Sequence, residues 1–164
     1  METNTPLRLL VFSQKRLEVS MLYDLYCQYI RYKIAIEETY AIPDSFLLTT
    51  AFSLVFPELK LSSGYVSFIV DINFENKIIA LKRLPHHWLT WEDENHIIDV
   101  LPVDGMFGVS VPQAVLQNYG NKRFFLTKNL FPKEWSAKQK VDFENKAEEL
   151  SVILQDIMSK SMQY

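Results

Sequence analysis

The stretch PHHWLTWEDENHIIDVLPVD, residues 85–104, decides how the rest of the chain is read. His86-His87-Trp88-Leu89-Thr90-Trp91 is rich in strand-favouring aromatics, and Glu92-Asp93-Glu94-Asn95 is a polar turn. Ile97-Ile98-Asp99-Val100-Leu101 is a second strand, closed by Pro102. The two predict a β-hairpin. Pairing would bring His86, near the start of one strand, beside Asp99, near the end of the next. A carboxylate beside an imidazole fixes its tautomer, as acid–base chemistry requires.

Working outward, Pro43 biases Ile42 away from helix, and Asp44 or Ser45 can cap a helix over 46–56, FLLTTAFSLVF. That segment is apolar nearly all round and belongs in the middle of a core, with Pro57 ending it. Residues 59–71 read as a strand with Gly64 at a bend or bulge. Then come a turn around Asn76 and a short strand over 78–81. Upstream, residues 19–38 form an amphipathic helix with Ser20 as N-cap. Tyr23, Cys27, Ile30 and Ile34 make one stripe, and Leu22, Tyr26, Tyr29 and Lys33 the next, so Cys27 faces the core. The LLVF run at 9–12 reads as a strand within an N-terminal arm, 1–18.

Downstream of the hairpin, Gly105 and Gly108 flank Met106-Phe107, and residues 109–111 make a short strand at best. Residues 112–117 suggest one or two helical turns, and 122–127, KRFFLT, a strand. Ser136-Ala137-Lys138-Gln139 is a capping box opening a C-terminal helix within 134–162, roughly 36 Å long at 1.5 Å per residue. A helix of that length packs across its own domain, or offers a surface for a protein partner or for self-association. The pattern as a whole is one α+β domain, helices on a mostly antiparallel sheet.

Composition narrows the function. The chain has 164 residues, 48% hydrophobic and 23% charged, as expected of a soluble globular domain. Four glycines complete no phosphate-binding fingerprint, and a net charge of −3 offers no basic excess for nucleic acid. One cysteine, Cys27, excludes an internal disulfide and fits a reducing, cytoplasmic setting. The first sixteen residues have no signal-peptide pattern, and no apolar run is long enough to span a membrane. No cofactor and no metal is expected. His86 and His87, adjacent on a strand, point opposite ways, so one ion cannot easily take both with Asp99. Asp93 and Glu94 read as a solvated turn, and His96 as a loop residue.

Four pieces carry a resemblance. Pro43-Asp44-Ser45 leads into a helix ending Phe56-Pro57-Glu58-Leu59; then come Gly64-Tyr65-Val66, His86-His87-Trp88-Leu89 and Ile97-Ile98-Asp99. Together, over roughly 41–103, they resemble the transglutaminase-like branch of the papain-like cysteine-enzyme superfamily, in its small bacterial members. The resemblance implies a thiolate at a helix N-terminus, stabilised by the helix dipole, a histidine that shuttles the proton and an acid that orients it. On that pattern His86, two before Trp88, takes the histidine's place, with His87 as alternate, and Asp99 takes the acid's. The cysteine's place falls at about Ser45, which has no preceding glycine and does not ionise as a thiol does. Cys27, the alternate nucleophile, lies in an earlier helix. The expectation is therefore a non-catalytic protein of this fold that binds a protein or small ligand. The alternative is a hydrolase or acyltransferase of amide or ester bonds using Ser45, His86 and Asp99. Ser45 as a plain helix cap competes with Ser45 as nucleophile.

Overall fold

The computed structural model describes residues 5–41, 43–72, 75, 78–91, 93–100, 115–116 and 123–161. Among these, α1 (Thr5–Ile36), α2 (Ser45–Val55) and α3 (Ala137–Ser161) accompany β1 (Leu59–Ile72), β2 (Ile78–Trp91), β3 (Asp93–Ile98), β4 (Val115–Leu116) and β5 (Arg123–Thr127). The strands form one antiparallel sheet in the order β4-β3-β2-β1-β5. The architecture is α+β.

The first helix corrects the reading of the N-terminal arm. Residues 9–12 are not a strand: they lie inside α1, which runs 32 residues without interruption. Ser20 is accordingly mid-helix and caps nothing. A four-residue apolar run has no period of its own, so it cannot distinguish strand from helix. The surrounding Arg, Gln, Lys, Glu and Leu favour helix, and Pro6 sits in the first turn, where a missing N–H costs little. The predicted stripes do face inward. Leu22, Tyr23, Tyr26, Cys27 and Ile30 are buried, while Ile34 near the C-terminal end is exposed.

Helix α2 begins one residue earlier than expected, at Ser45, and its cap is Asp44. The Asp44 carboxylate accepts from the Leu47 backbone N–H at 2.8 Å. The capping reading of Ser45 is thus corrected: one carboxylate at the N-cap satisfies the free donor, and Ser45 becomes the first helical residue. Leu48, Thr49, Ala51 and Phe52 are buried, but Leu54 is exposed, so the apolar helix lies at the edge of the core with one face open.

Two long strands form the centre of the sheet. β1 pairs with β2 from Leu59↔Trp91 to Ile72↔Ile78, with irregularities around Asp71. The expected short strand at 78–81 is the first part of β2, which continues through Pro85. Proline is tolerated there because β3 pairs with β2 only from Leu89 onward, leaving β2 with one neighbour at Pro85 among the described residues. The hairpin is present but tighter than expected. Leu89 faces Ile98, Thr90 faces Ile97, and after a register shift Trp91 faces Asp93. Asp93 to Asn95, read as turn, and His96, read as loop, belong to the backbone of β3. Asp99 and Val100, read as part of the second strand, lie beyond its end at Ile98. Residues 115–116 are strand, not a helical turn. The readings of Ile42, Asn76, Glu92, Leu101, Pro102, 105–114, Gln117 and Lys122 lie outside the described residues.

Gly64 is required by a close approach. A Cβ there would fall on the backbone carbonyl of Leu126 in β5 and lie 2.8 Å from the Trp88 ring. Ser63 beside it is buried and ties down the segment after β5: its hydroxyl donates to the Lys128 carbonyl at 2.7 Å and accepts from the Leu130 N–H at 2.9 Å.

The sheet buries both faces in different ways. Leu59, Leu61, Leu89 and Ile98 pack with α1, α2 and α3 in the main core, where Leu22, Tyr26, Phe52 and Leu154 are fully covered. Trp88, Val66 and Ile97 form a smaller cluster with Phe125 on the other face. Alternation along the strand accounts for the division. The C-terminal capping box forms as expected: Gln139 N–H donates to Ser136 Oγ at 3.1 Å, and Ser136 N–H to Gln139 Oε1 at 2.9 Å. Leu150 and Leu154 of α3 join the main core, so the helix packs within its own chain. Among the described residues no helix is long and apolar enough to cross a membrane.

Candidate functional site

The β2–β3 hairpin brings His86, on β2, together with Asp99, just past the end of β3. Leu89 of β2 faces Ile98, the last residue of β3; Asp99 follows directly after the strand, and His86 stands three residues before Leu89 on β2. His86 Nε2 is 2.9 Å from Asp99 Oδ1 and 3.0 Å from Oδ2. His86 is 3% exposed and Asp99 0%. Both carboxyl oxygens lie within hydrogen-bond reach of the same ring nitrogen, so Asp99 fixes the orientation of the imidazole. The Trp88 ring lies 6.5 Å from the imidazole, centroid to centroid, and Phe125 meets Trp88 edge-on at 5.1 Å. Gly64, paired with His86, leaves the room into which the Trp88 ring fits.

His87 faces the other way, toward α2. Phe46, in the first turn of α2, stacks on its imidazole at 4.4 Å with 15° between planes. Phe131 lies 5.6 Å away, and the Thr49 hydroxyl reaches the His87 carbonyl at 3.5 Å. His87 Nε2 is buried with no hydrogen-bond partner among the described residues. Burial pushes its pKa down to about 4, and the neighbouring His86 adds to this against a weaker pull from Asp44. Desolvation disfavours the imidazolium, so His87 is a neutral aromatic side chain at ordinary pH.

The two imidazoles therefore have separate surroundings. The carboxylate holds His86; the N-terminus of α2 packs on His87. No hydrogen bond joins Ser45 to either ring among the described residues. Cys27 is 8% exposed, on the inner side of α1 close to Tyr23. Burial raises the Tyr23 phenol well above its usual pKa, and Cys27 and then Asp99 raise it further, so it keeps its proton. Chemically, the Asp99–His86 pair is an oriented imidazole in a dry interior, able to act as a base only if a reacting group reached its other nitrogen. Among the described residues no three His, Cys, Asp or Glu side chains converge as a metal site would require.

A second feature lies on the His87 side of the sheet. Phe46, Thr50, Leu61, Phe131, Trp135 and Phe143 line an open groove of about 480 Å³, with Pro132, Lys133, Lys140 and Glu144 completing its wall. Nothing in the sequence analysis assembled these rings. The available signal was two aromatics, Phe131 and Trp135, in the polar segment just before the Ser136 capping box. Exposed loop aromatics of this kind mark surfaces more often than cores.

Against known proteins, the chain matches no family model, no curated protein and no solved structure.

Proposed function

We propose that the chain acts by binding, as a non-catalytic protein related to the transglutaminase-like, papain-like fold. The single observation behind this reading is the division of labour between His86 and His87. In a thiol enzyme of that kind the helix N-terminus and the orienting acid address one imidazole from two sides. Here Asp99 engages His86 while α2 packs its first turn on His87, across the strand. An acid-held imidazole to which Ser45 makes no hydrogen bond stabilises a hairpin but has nothing to activate. The open aromatic groove beside α2 is the surface available to a ligand.

The alternative, a hydrolase or acyltransferase using Ser45, His86 and Asp99, draws its support from the His86–Asp99 geometry. Fluorophosphonate labelling and a panel of amide and ester substrates separate the two. The binding reading expects neither labelling nor turnover in the wild-type chain. Turnover that disappears in Ser45→Ala would sink it. Self-association through α3 draws on Val141 and Val152, which are solvent-exposed apolar residues on that helix. Sedimentation at concentrations from 1 to 100 µM, orders of magnitude chosen to bracket about 7 kcal/mol of association, tests it; a monomer throughout removes it.

A further inference from the structure

We propose that the groove between α2 and the start of α3 binds a small aryl carboxylate, its ring among Phe46, Trp135 and Phe143 and its carboxylate met by Lys133 and Lys140. The inference rests on the binding reading above and gives that binding a ligand class.

The rings form a continuous wall. Phe46 lies 4.4 Å from Phe143 and 6.0 Å from Trp135, centroid to centroid, and Trp135 is 5.1 Å from Phe143. Phe131 closes the far side at 5.8 Å from Phe46. Trp135 is 37% exposed and Phe131 and Phe143 are half-buried, so each keeps accessible ring surface, whereas Phe46, stacked between His87 and Phe143, offers its edge. Offset and tilted rings at these spacings present the faces and edges that a further aromatic ring packs against. The volume, about 480 Å³, lies within the roughly 300–1,000 Å³ range of small-molecule sites and suits one bicyclic ring with a short side chain.

Charge completes the choice of ligand. Lys133 and Lys140 line the groove, both exposed, and neither makes an ion pair among the described residues. Glu144 is the one acidic lining residue, and although it stands four residues after Lys140 on α3, the two are not paired. The lining thus carries two cations to one anion beside an aromatic wall. A neutral hydrophobe would fill the groove and leave both ammonium groups idle. An aromatic cation would be repelled by them. A ring bearing a carboxylate satisfies the apolar wall and the cationic rim together.

The test follows the Trp135 indole N–H resonance by NMR while indole-3-acetate, and separately its neutral isostere indole-3-acetamide, is titrated into the full chain. The expected result is a saturable shift at Trp135, with the acid bound roughly fivefold more tightly than the amide at low salt, the scale of exposed charge pairs. Lys133→Gln combined with Lys140→Gln, both on the surface, abolishes that preference, weakening the acid by more than the amide. Phe143→Ala weakens both ligands. Equal affinity for acid and amide overturns the proposal. So does the absence of any saturable shift at Trp135, or binding of an acidic aromatic peptide but not of indole-3-acetate. Fluorophosphonate labelling at Ser45 in the same samples would refute the non-catalytic reading, whatever the titration shows. A flat titration without labelling refutes the groove assignment alone.

Discussion

The buried imidazole–carboxylate pair makes the sharpest quantitative prediction. His86 Nε2 contacts both Asp99 oxygens, at 2.9 and 3.0 Å, and both side chains are almost wholly out of water. Removing one partner of such a pair strands the other in a medium that solvates it poorly. The cost of breaking a buried pair from one side is about 3–5 kcal/mol. Asp99→Ala and His86→Ala should each destabilise by that amount. For a chain of this size, each kcal/mol lowers Tm by roughly 2–4 °C, so Tm should fall by roughly 6–20 °C. The double variant should cost much less than the two single changes added together. The coupling energy should be about 1.5–3 kcal/mol, the range for a hydrogen bond to a charged group. Asp99→Asn, which keeps an acceptor without the charge, should fall between wild type and Asp99→Ala. Urea unfolding followed by tryptophan fluorescence measures all four variants, with circular dichroism for Tm. Additive single-variant effects, with a coupling below about 0.5 kcal/mol, would refute the reasoning. The pair would then be a geometric neighbour and not an energetic unit.

Three further predictions follow from local geometry. Asp44→Ala should cost about 1 kcal/mol by removing the α2 cap, while Ser45→Ala should change stability by less than about 0.5 kcal/mol; equal losses in urea unfolding would reassign the cap. Gly64→Ala should destabilise by at least about 1–3 kcal/mol, because the added methyl meets the Leu126 carbonyl and the Trp88 ring, and it should shift the emission of Trp88; a neutral effect would refute the close approach. His87 has a folded pKa of about 4, below its ordinary 6.5. The unfolded chain therefore binds a proton first as pH falls, so the stability associated with neutral His87 is fully present above about 6.5 and is lost as pH drops toward about 4. His87→Phe should flatten that part of the urea-midpoint profile between pH 7 and 4, an interval spanning both values; an unchanged slope would place the loss elsewhere.

Much of the frame was legible in residue order. The capping box at Ser136 and Gln139 specifies a helix start through two reciprocal hydrogen bonds between neighbours in sequence, and both form. The stripe from Leu22 to Ile30 specifies which side of α1 turns inward, because helical period is a local property. The approach of His86 to Asp99 was also readable, since a hairpin relates residues across a short turn, although Asp99 proves to lie just past the strand. The errors were local too. The run at 9–12 carries no period, so its place in α1 could not be distinguished from a strand. At the start of α2, Asp44 and Ser45 are both competent caps, and only backbone geometry selects between them.

What residue order could not supply was the relation between elements far apart in the chain. That α2 rests on His87 and not on His86 depends on which face of the sheet the helix covers, and nothing in either segment states it. The aromatic groove needs Phe46, Phe131, Trp135 and Phe143, separated by up to 97 positions (143 − 46), to meet through the packing of α2 against α3. Local hydrogen bonds and periodicity determine what each segment becomes. Which segments touch, and so which histidine meets which helix, is decided by the burial of whole faces, which exists only once the chain has folded.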